Sequence, residues 1–327
     1  MSIIETSNLM EVSNLRAHYF SPRGVVKAVD GISFNLRKGE RLGIAGESGC
    51  GKTTCAKALM RLIRPSRGTL DGKIIFAGED LLQKSEREMR AIRWKRISMV
   101  FQAAMNALNP VMRVKDQIGE AISIHDRLEK DDIIRRVEEL LAMVGINPSR
   151  GNDYPHEFSG GQKQRAVIAM ALACNPDIVI LDEPTTALDV VIQAQILKLL
   201  HDLSVKINSS MILITHDISI ISEICDRIAI FYAGKIVELT NLESFFRHPI
   251  HPYSQCLIGA FPKIQSSRTS LVTVPGSPPD LTRPPPGCRF SPRCPLRENR
   301  CSIEEPSMKE ARKNHYVACH SADSALD

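Results

Sequence analysis

The stretch Gly46-Glu47-Ser48-Gly49-Cys50-Gly51-Lys52-Thr53-Thr54 constrains this chain more than any other. It fits the pattern G-x-x-x-x-G-K-[ST]. It follows an apolar run, Arg41 to Ala45, and precedes a stretch that reads as a helix, Thr53 to Arg64, ended by Pro65. The glycines let the backbone curl until successive N–H groups point inward at phosphate oxygens. The helix that starts there adds the positive end of its dipole. Lys52 brings a full charge to the outer phosphates, and the Thr53 hydroxyl can ligate Mg²⁺. A glycine-rich turn of no function is the bland alternative, and the strand–loop–helix context argues against it.

The rest of the chain must supply the sheet that such a loop needs. Asp177 to Asp182 and Ser210 to Thr215 are further continuous apolar runs, as expected of strands covered on both faces. Asp132 to Val144 has helical periodicity and stops at Gly145. Arg16 to Glu40 reads instead as extended strands and turns. The expected class is α/β, with a mainly parallel core sheet and an antiparallel piece at its start.

Ten of the 19 prolines and four of the nine cysteines fall in residues 262–327. Six of those prolines lie between Pro275 and Pro286, a stretch unsuited to helix or central strand. A boundary is therefore expected near Pro262, with a large α/β domain at 1–261 and a small, loop-rich domain at 262–327. The net charge of +5 is too small to imply nucleic acid. No apolar run reaches the length of a membrane span, and Ala166 to Cys174 reads as a buried helix. Met1 to Val12 lacks the pattern of a secretory signal, so a cytoplasmic location with reduced thiols is expected.

Further residues carry chemistry. Asp182 ends an apolar strand, where a carboxylate can hold Mg²⁺ through its waters. Glu183 beside it can activate a water, although alone it would read as a surface acid. Gln102, after Met99-Val-Phe, and His216, after the third strand, mean little in isolation. Ser159-Gly160-Gly161-Gln162 offers N–H groups at a helix start. The set Cys288-x5-Cys294-x6-Cys301-x17-Cys319 is suggestive of a metal in a reducing compartment. These gaps fit paired zinc ligands poorly; four thiolates can also hold a [4Fe–4S] cluster, and free or disulfide-bonded thiols remain a third reading. His315 and His320 can stand in as ligands, but read first as surface residues. The other cysteines read as packing residues, with Cys50 open to oxidation.

Taken in order, Tyr19, the glycine loop, Gln102, Ser159-Gly160-Gly161-Gln162, Asp182-Glu183, Thr186-Ala-Leu-Asp189 and Thr215-His216-Asp217 resemble the motif set of ATP-binding-cassette ATPases over residues 10–240. The resemblance implies a cassette fold, with an antiparallel β subdomain and a helical subdomain on the core. It implies that two cassettes pair head to tail, with ATP between one glycine loop and the other's Ser159 segment. By the same resemblance Tyr19 stacks on adenine, and Thr53, Gln102 and Asp182 hold Mg²⁺. Glu183 is the general base for hydrolysis of ATP to ADP and phosphate, His216 positions water and γ-phosphate, and Asp189 signals across the dimer.

Leu108-Asn-Pro110, His248-Pro-Ile-His-Pro-Tyr253 and Pro275-Gly-Ser-Pro-Pro279 are similar to the ATPase subunits of dipeptide and oligopeptide importers, and to the first of their two paired ATPases. That likeness implies a second cassette ATPase, two membrane permease subunits, an extracytoplasmic substrate-binding protein and a place on the cytoplasmic face of the membrane. It also implies a [4Fe–4S] cluster on Cys288, Cys294, Cys301 and Cys319. Oligosaccharide and nickel importers share the architecture. A soluble cassette protein of translation or repair is the other class, but there is one glycine loop here and no inserted coiled coil between Lys52 and Ser159. Three departures stand out: Ala103-Ala104 in place of the usual Asp-Pro after Gln102, Thr186 in place of the commoner Ser, and Gln162-Lys163 where many first-type subunits carry Met-Arg. None removes a catalytic group.

Overall fold

A computed structural model describes residues 8–102, 107–186, 188–207, 209–259, 274 and 276–325. Ala103, Ala104, Met105, Asn106, Ala187, Pro275 and the expected boundary at Pro262 lie outside the described residues. Along the described chain the elements are β1 (Asn8–Ser21), β2 (Gly24–Arg37), β3 (Arg41–Ala45), α1 (Lys52–Leu59), β4 (Gly68–Phe76), β5 (Glu79–Asp80), α2 (Glu86–Ile92), β6 (Ile97–Val100), α3 (Val114–His125), α4 (Lys130–Met143) and α5 (Gly160–Ala171). They continue with β7 (Ile178–Asp182), α6 (Val190–Lys206), β8 (Ser210–Thr215), α7 (Ile218–Ile224), β9 (Arg227–Tyr232), β10 (Lys235–Asn241), α8 (Leu242–Arg247), α9 (Pro252–Gly259), β11 (Lys309–Arg312) and β12 (His315–Val317). The chain divides into two compact units, one of residues 1–9, 36–41 and 83–224, the other of residues 10–35, 42–82 and 225–327.

The first unit carries three parallel strands in the order β8, β7, β6. Every residue of β7 and β8 is buried, as expected where helices cover both faces of a parallel sheet. Register places Ile97 beside Ile178 and Ile178 beside Ser210, so the C-terminal ends of the strands lie together. Helices α3, α4 and α5 pack on one another. They bury Val114, Ile118 and Ile122 from α3, Val137, Leu140 and Leu141 from α4, and Val167 and Ile168 from α5. The start of α2 is capped by its own side chains. The Ser85 hydroxyl accepts from Glu88 N while the Glu88 carboxylate accepts from Ser85 N, closing a capping box.

The second unit holds the antiparallel sheet β2-β1-β4-β5 and, apart from it, β3 running parallel to β9. β10 returns antiparallel to β9, and β12 and β11 follow from the tail. Residues 276–286 of the proline-dense stretch form no helix or strand, as expected, but the chain beyond them does return to the sheet at β11 and β12. Helix α1 is shorter than the reading Thr53 to Arg64. It stops at Leu59 because Arg61 takes a left-handed conformation, φ 48°, well before Pro65.

His315 is a correction. It is not a surface residue but 1% exposed, and its Nε2 lies 2.6 Å from Glu238 Oε1. Glu238, itself fully buried, also accepts from the backbone N–H groups of Ile250 and His251 at 3.0 and 2.9 Å. Burial pushes the Glu238 carboxyl up, but the bond from His315 and the backbone N–H groups outweigh it and hold it below the usual range. Its stabilising contribution is thus complete above the ordinary carboxylate value of about 4.3 and is lost as pH falls through the lower folded value. Glu238→Ala leaves His315 and two N–H groups buried without their acceptor. It is predicted to cost about 3 kcal/mol of stability, read by urea denaturation at neutral pH. A cost under about 0.5 kcal/mol would contradict this account of the tail's attachment.

Candidate functional site

The glycine loop belongs to the second unit. Gly46 has φ 154° and Gly51 φ 112°, both left to glycine. A Cβ on Gly46 would sit 2.1 Å from the Phe231 carbonyl oxygen, and one on Gly51 would sit 2.0 Å from that of Ala28. The loop is thus threaded between two backbone carbonyls. Gly234 N donates to Cys50 O at 2.7 Å and fixes its far end. α1 starts at Lys52 with no side-chain cap at Gly51. Lys52 is buried, and its ammonium donates to the carbonyls of Gly46 and Glu47 at 2.7 and 2.9 Å. Cys50 is buried, and burial pushes its thiol up, so the thiolate needed for ready oxidation is disfavoured. Tyr19 is half-buried within β1, opposite Gly68 of β4.

The first unit brings the acidic residues together. β7 ends at the fully buried Asp182. Its neighbour Glu183 turns out of the strand with φ 47°, a strained conformation for a residue with a side chain. Glu183 N is held by Ile214 O of β8 at 2.8 Å. Three groups then converge on its carboxylate. Gln102 Nε2 donates to Oε2 at 3.0 Å, Thr186 Oγ1 donates to the same oxygen at 3.0 Å, and His216 Nδ1 lies 3.6 Å from Oε1. Gln102 follows β6 and His216 follows β8, so the aligned ends of three parallel strands deliver all of them, as α/β sheets commonly do. A cavity of 230 Å³ beside them is lined by Thr185, Thr186, Thr215, His216 and Asp217, among others.

Ser159 caps α5, accepting from Gln162 N at 3.3 Å, while Gln162 Oε1 accepts from Ser159 N at 3.1 Å. Arg150, stacked 4.6 Å over the Phe158 ring, donates to the same Gln162 oxygen at 2.9 Å. Ser159 and Gly160 face solvent, and Gly161 is buried against Ile192. Asp189 caps α6 through a bond from Ile192 N at 2.9 Å, a local task that the sequence reading did not give it.

In the tail, burial pushes the Cys288 thiol up to about 11, with Cys319, Cys301 and Cys294 adding to the effect, so the four thiols lie within electrostatic reach. Among the described residues, however, no three His, Cys, Asp or Glu side chains are arranged to hold a metal ion. The [4Fe–4S] ligand set expected at Cys288, Cys294, Cys301 and Cys319 therefore gains no support here.

Sequence reasoning missed the partners of Glu47. Its carboxylate is gripped by Arg293, and its N–H donates to the Tyr253 hydroxyl at 3.0 Å. The only local hints were a glutamate inside a phosphate loop and an arginine beside Cys294.

Comparison with known proteins agrees with this geometry. The family model described as "ABC transporter" matches residues 29–186, and "Oligopeptide/dipeptide transporter, C-terminal region" matches residues 237–301. The dimeric post-hydrolysis structure of the ATP-binding cassette MJ0796 bound to ADP and Pi superposes with a TM-score of 0.64 and 27% identity, over 71% of this chain and 98% of that one. The fold is that of an ATP-hydrolysing cassette. The dipeptide transport ATP-binding protein DppD of Bacillus subtilis is 46% identical over 98% of this chain and 96% of its own length. The oligopeptide transport ATP-binding protein OppD of Escherichia coli is 42% identical over 98% of each. The chain belongs to this family, the ATPase subunits of the peptide-importing ABC transporters.

The loop geometry makes a prediction. Gly51→Ala forces a Cβ into the Ala28 carbonyl and is expected to abolish ATP binding, read by titration with a fluorescent ATP analogue. Binding within threefold of the parent chain would show that the loop has room to spare.

Proposed function

We propose that this chain binds MgATP on its glycine loop and hydrolyses it with Glu183 as general base, to drive peptide uptake. One observation carries the reading: Gln102, Thr186 and His216 converge on the Glu183 carboxylate. A base must be aimed as well as basic, and these groups aim it. Gln102 and Thr186 bond one oxygen and leave the other toward His216.

In this reading Lys52 exchanges the Gly46 and Glu47 carbonyls for β- and γ-phosphate oxygens when nucleotide arrives. The N–H groups from Ser48 to Thr54, the dipole of α1 and Tyr19 at the base complete the site. Thr53, Gln102 and Asp182 are the residues that would hold Mg²⁺, which neutralises phosphate charge. Ser159, Gly160, Gly161 and Gln162, with the solvent-facing start of α5, would serve the ATP bound by a partner cassette, and Asp189 would lie near that contact. The partner would be a second, different cassette ATPase, beneath two permease subunits fed by an extracytoplasmic binding protein. The family supports the permeases and binding protein; the pairing of unlike ATPases is the finer proposal. Among the described residues no helix is long and apolar enough to cross a membrane, so association with the cytoplasmic face would be peripheral. The division at residue 262 is kept as a functional boundary between cassette and tail. No step of the reading passes through a metal in the tail.

Glu183→Gln keeps the size of the side chain and removes the base. Phosphate release by the assembled transporter should fall by about 10²–10⁴-fold with ATP binding retained. Near-normal turnover would place the base elsewhere. Lys52→Ala should instead weaken ATP binding itself, and unaltered affinity in that variant would contradict the role given to its ammonium.

A further inference from the structure

Glu47 poses an electrostatic problem. A carboxylate on the second residue of a loop built for polyphosphate repels the ligand unless something takes its charge. The loop itself offers nothing, because Lys52 is turned to the carbonyls. The countercharge comes from the far end of the chain. Arg293 grips Glu47 with both branches of its guanidinium, Nη1 to Oε2 at 2.7 Å and Nη2 to Oε1 at 2.9 Å. This bidentate form is the strongest arrangement open to such a pair.

The arginine is held as firmly as it holds. Its side chain is 6% exposed. It lies 5.7 Å over the Tyr232 ring, and Nη1 also donates to the Tyr232 hydroxyl at 3.2 Å. Tyr232, Tyr253 and Phe290 pack as a buried aromatic trio, with centroids 4.7, 5.1 and 5.4 Å apart. Tyr253 in turn takes the N–H of Glu47, so the same trio secures both the backbone and the side chain of this residue. The opposite end of the loop has a parallel arrangement. Arg289, 5% exposed, bonds the Ala233 carbonyl and Asp30, and so fixes the turn whose Gly234 N–H holds Cys50 O. Both arginines belong to the short tail segment between Gly287 and Pro295, and they are flanked by Cys288 and Cys294.

We propose that Arg293 is a positioning residue for the phosphate loop, through which the cysteine-bearing tail sets the affinity of the cassette for ATP. The tail neutralises Glu47 and turns its carboxylate away from the phosphates. The tail is then a working part of the nucleotide site. The inference rests on the reading of this loop as the ATP site, and the experiment separates the two.

The experiment titrates the purified full chain with a fluorescent ATP analogue and Mg²⁺. The wild type, Arg293→Gln, Glu47→Gln and the double variant are compared, each with a thermal melt. Arg293→Gln strands a half-buried carboxylate beside the phosphates, and the dissociation constant should rise about tenfold, within the usual span of coupling between sites. Removing the stranded charge in the double variant should restore affinity to within threefold of wild type. A purely structural role would show no such rescue. If Arg293→Gln proves insoluble, the double variant decides alone: wild-type-like affinity supports the proposal and lost affinity overturns it. Unchanged binding by Arg293→Gln, or a double variant no better than the single, also overturns it. If the wild type itself fails to bind the analogue, the reading of the site falls first. In the assembled transporter, Arg293→Gln should raise KM for ATP while leaving kcat within threefold; loss of kcat at unchanged KM would refute a role in affinity.

Discussion

Everything in this chain's chemistry depends on one tight piece of backbone. The glycine loop runs between the carbonyls of Phe231 and Ala28, so close that no side chain fits at Gly46 or Gly51. That confinement fixes the course of the loop backbone. A loop free to relax would lose affinity for phosphate to reordering. The carbonyls belong to β9 and β2, so the strands and the loop specify each other. The tail enters the same arrangement through Arg289 and Arg293. This explains why a proline-rich segment with little core of its own is nonetheless ordered around two buried guanidinium groups.

The acidic group of the first unit is built on a different device. Three parallel strands end at the same level, and the next residues carry Gln102, Glu183 and His216. Glu183 occupies a left-handed conformation that costs energy, of order 1 kcal/mol or more. Its N–H bond to Ile214 O and the grip of Gln102 and Thr186 on its carboxylate hold it there. The strained residue is also the one assigned the base, as is common where geometry matters more than stability.

Much of this was legible in the sequence because its signals are local. The glycine loop, the three strands, the helix ending near Gly145 and the cap at Ser159 are each encoded within a dozen residues. The end of α1 was misread because an apolar pattern does not reveal that Arg61 turns left-handed. Asp189 was read for a remote role, while its nearest task is to cap α6. His315 was placed on the surface because nothing around it shows that Glu238 waits for it across the sheet. The pair Glu47–Arg293 was invisible for the same reason: the partners are 246 residues apart, and charge complementarity at that distance leaves no pattern. The four tail cysteines are different. Their spacing and family likeness suggest a cluster, and the fold brings the thiols within electrostatic reach of one another, but no metal-holding group of three or more His, Cys, Asp or Glu is found among the described residues.

The central claim is that this chain is the motor of a peptide importer. Purification from membranes through a tag on this chain, followed by mass spectrometry, tests it most directly. The account predicts recovery of two multi-span permease proteins and a second cassette ATPase of different sequence. Recovery of ribosomes, of DNA or of the chain by itself would contradict it.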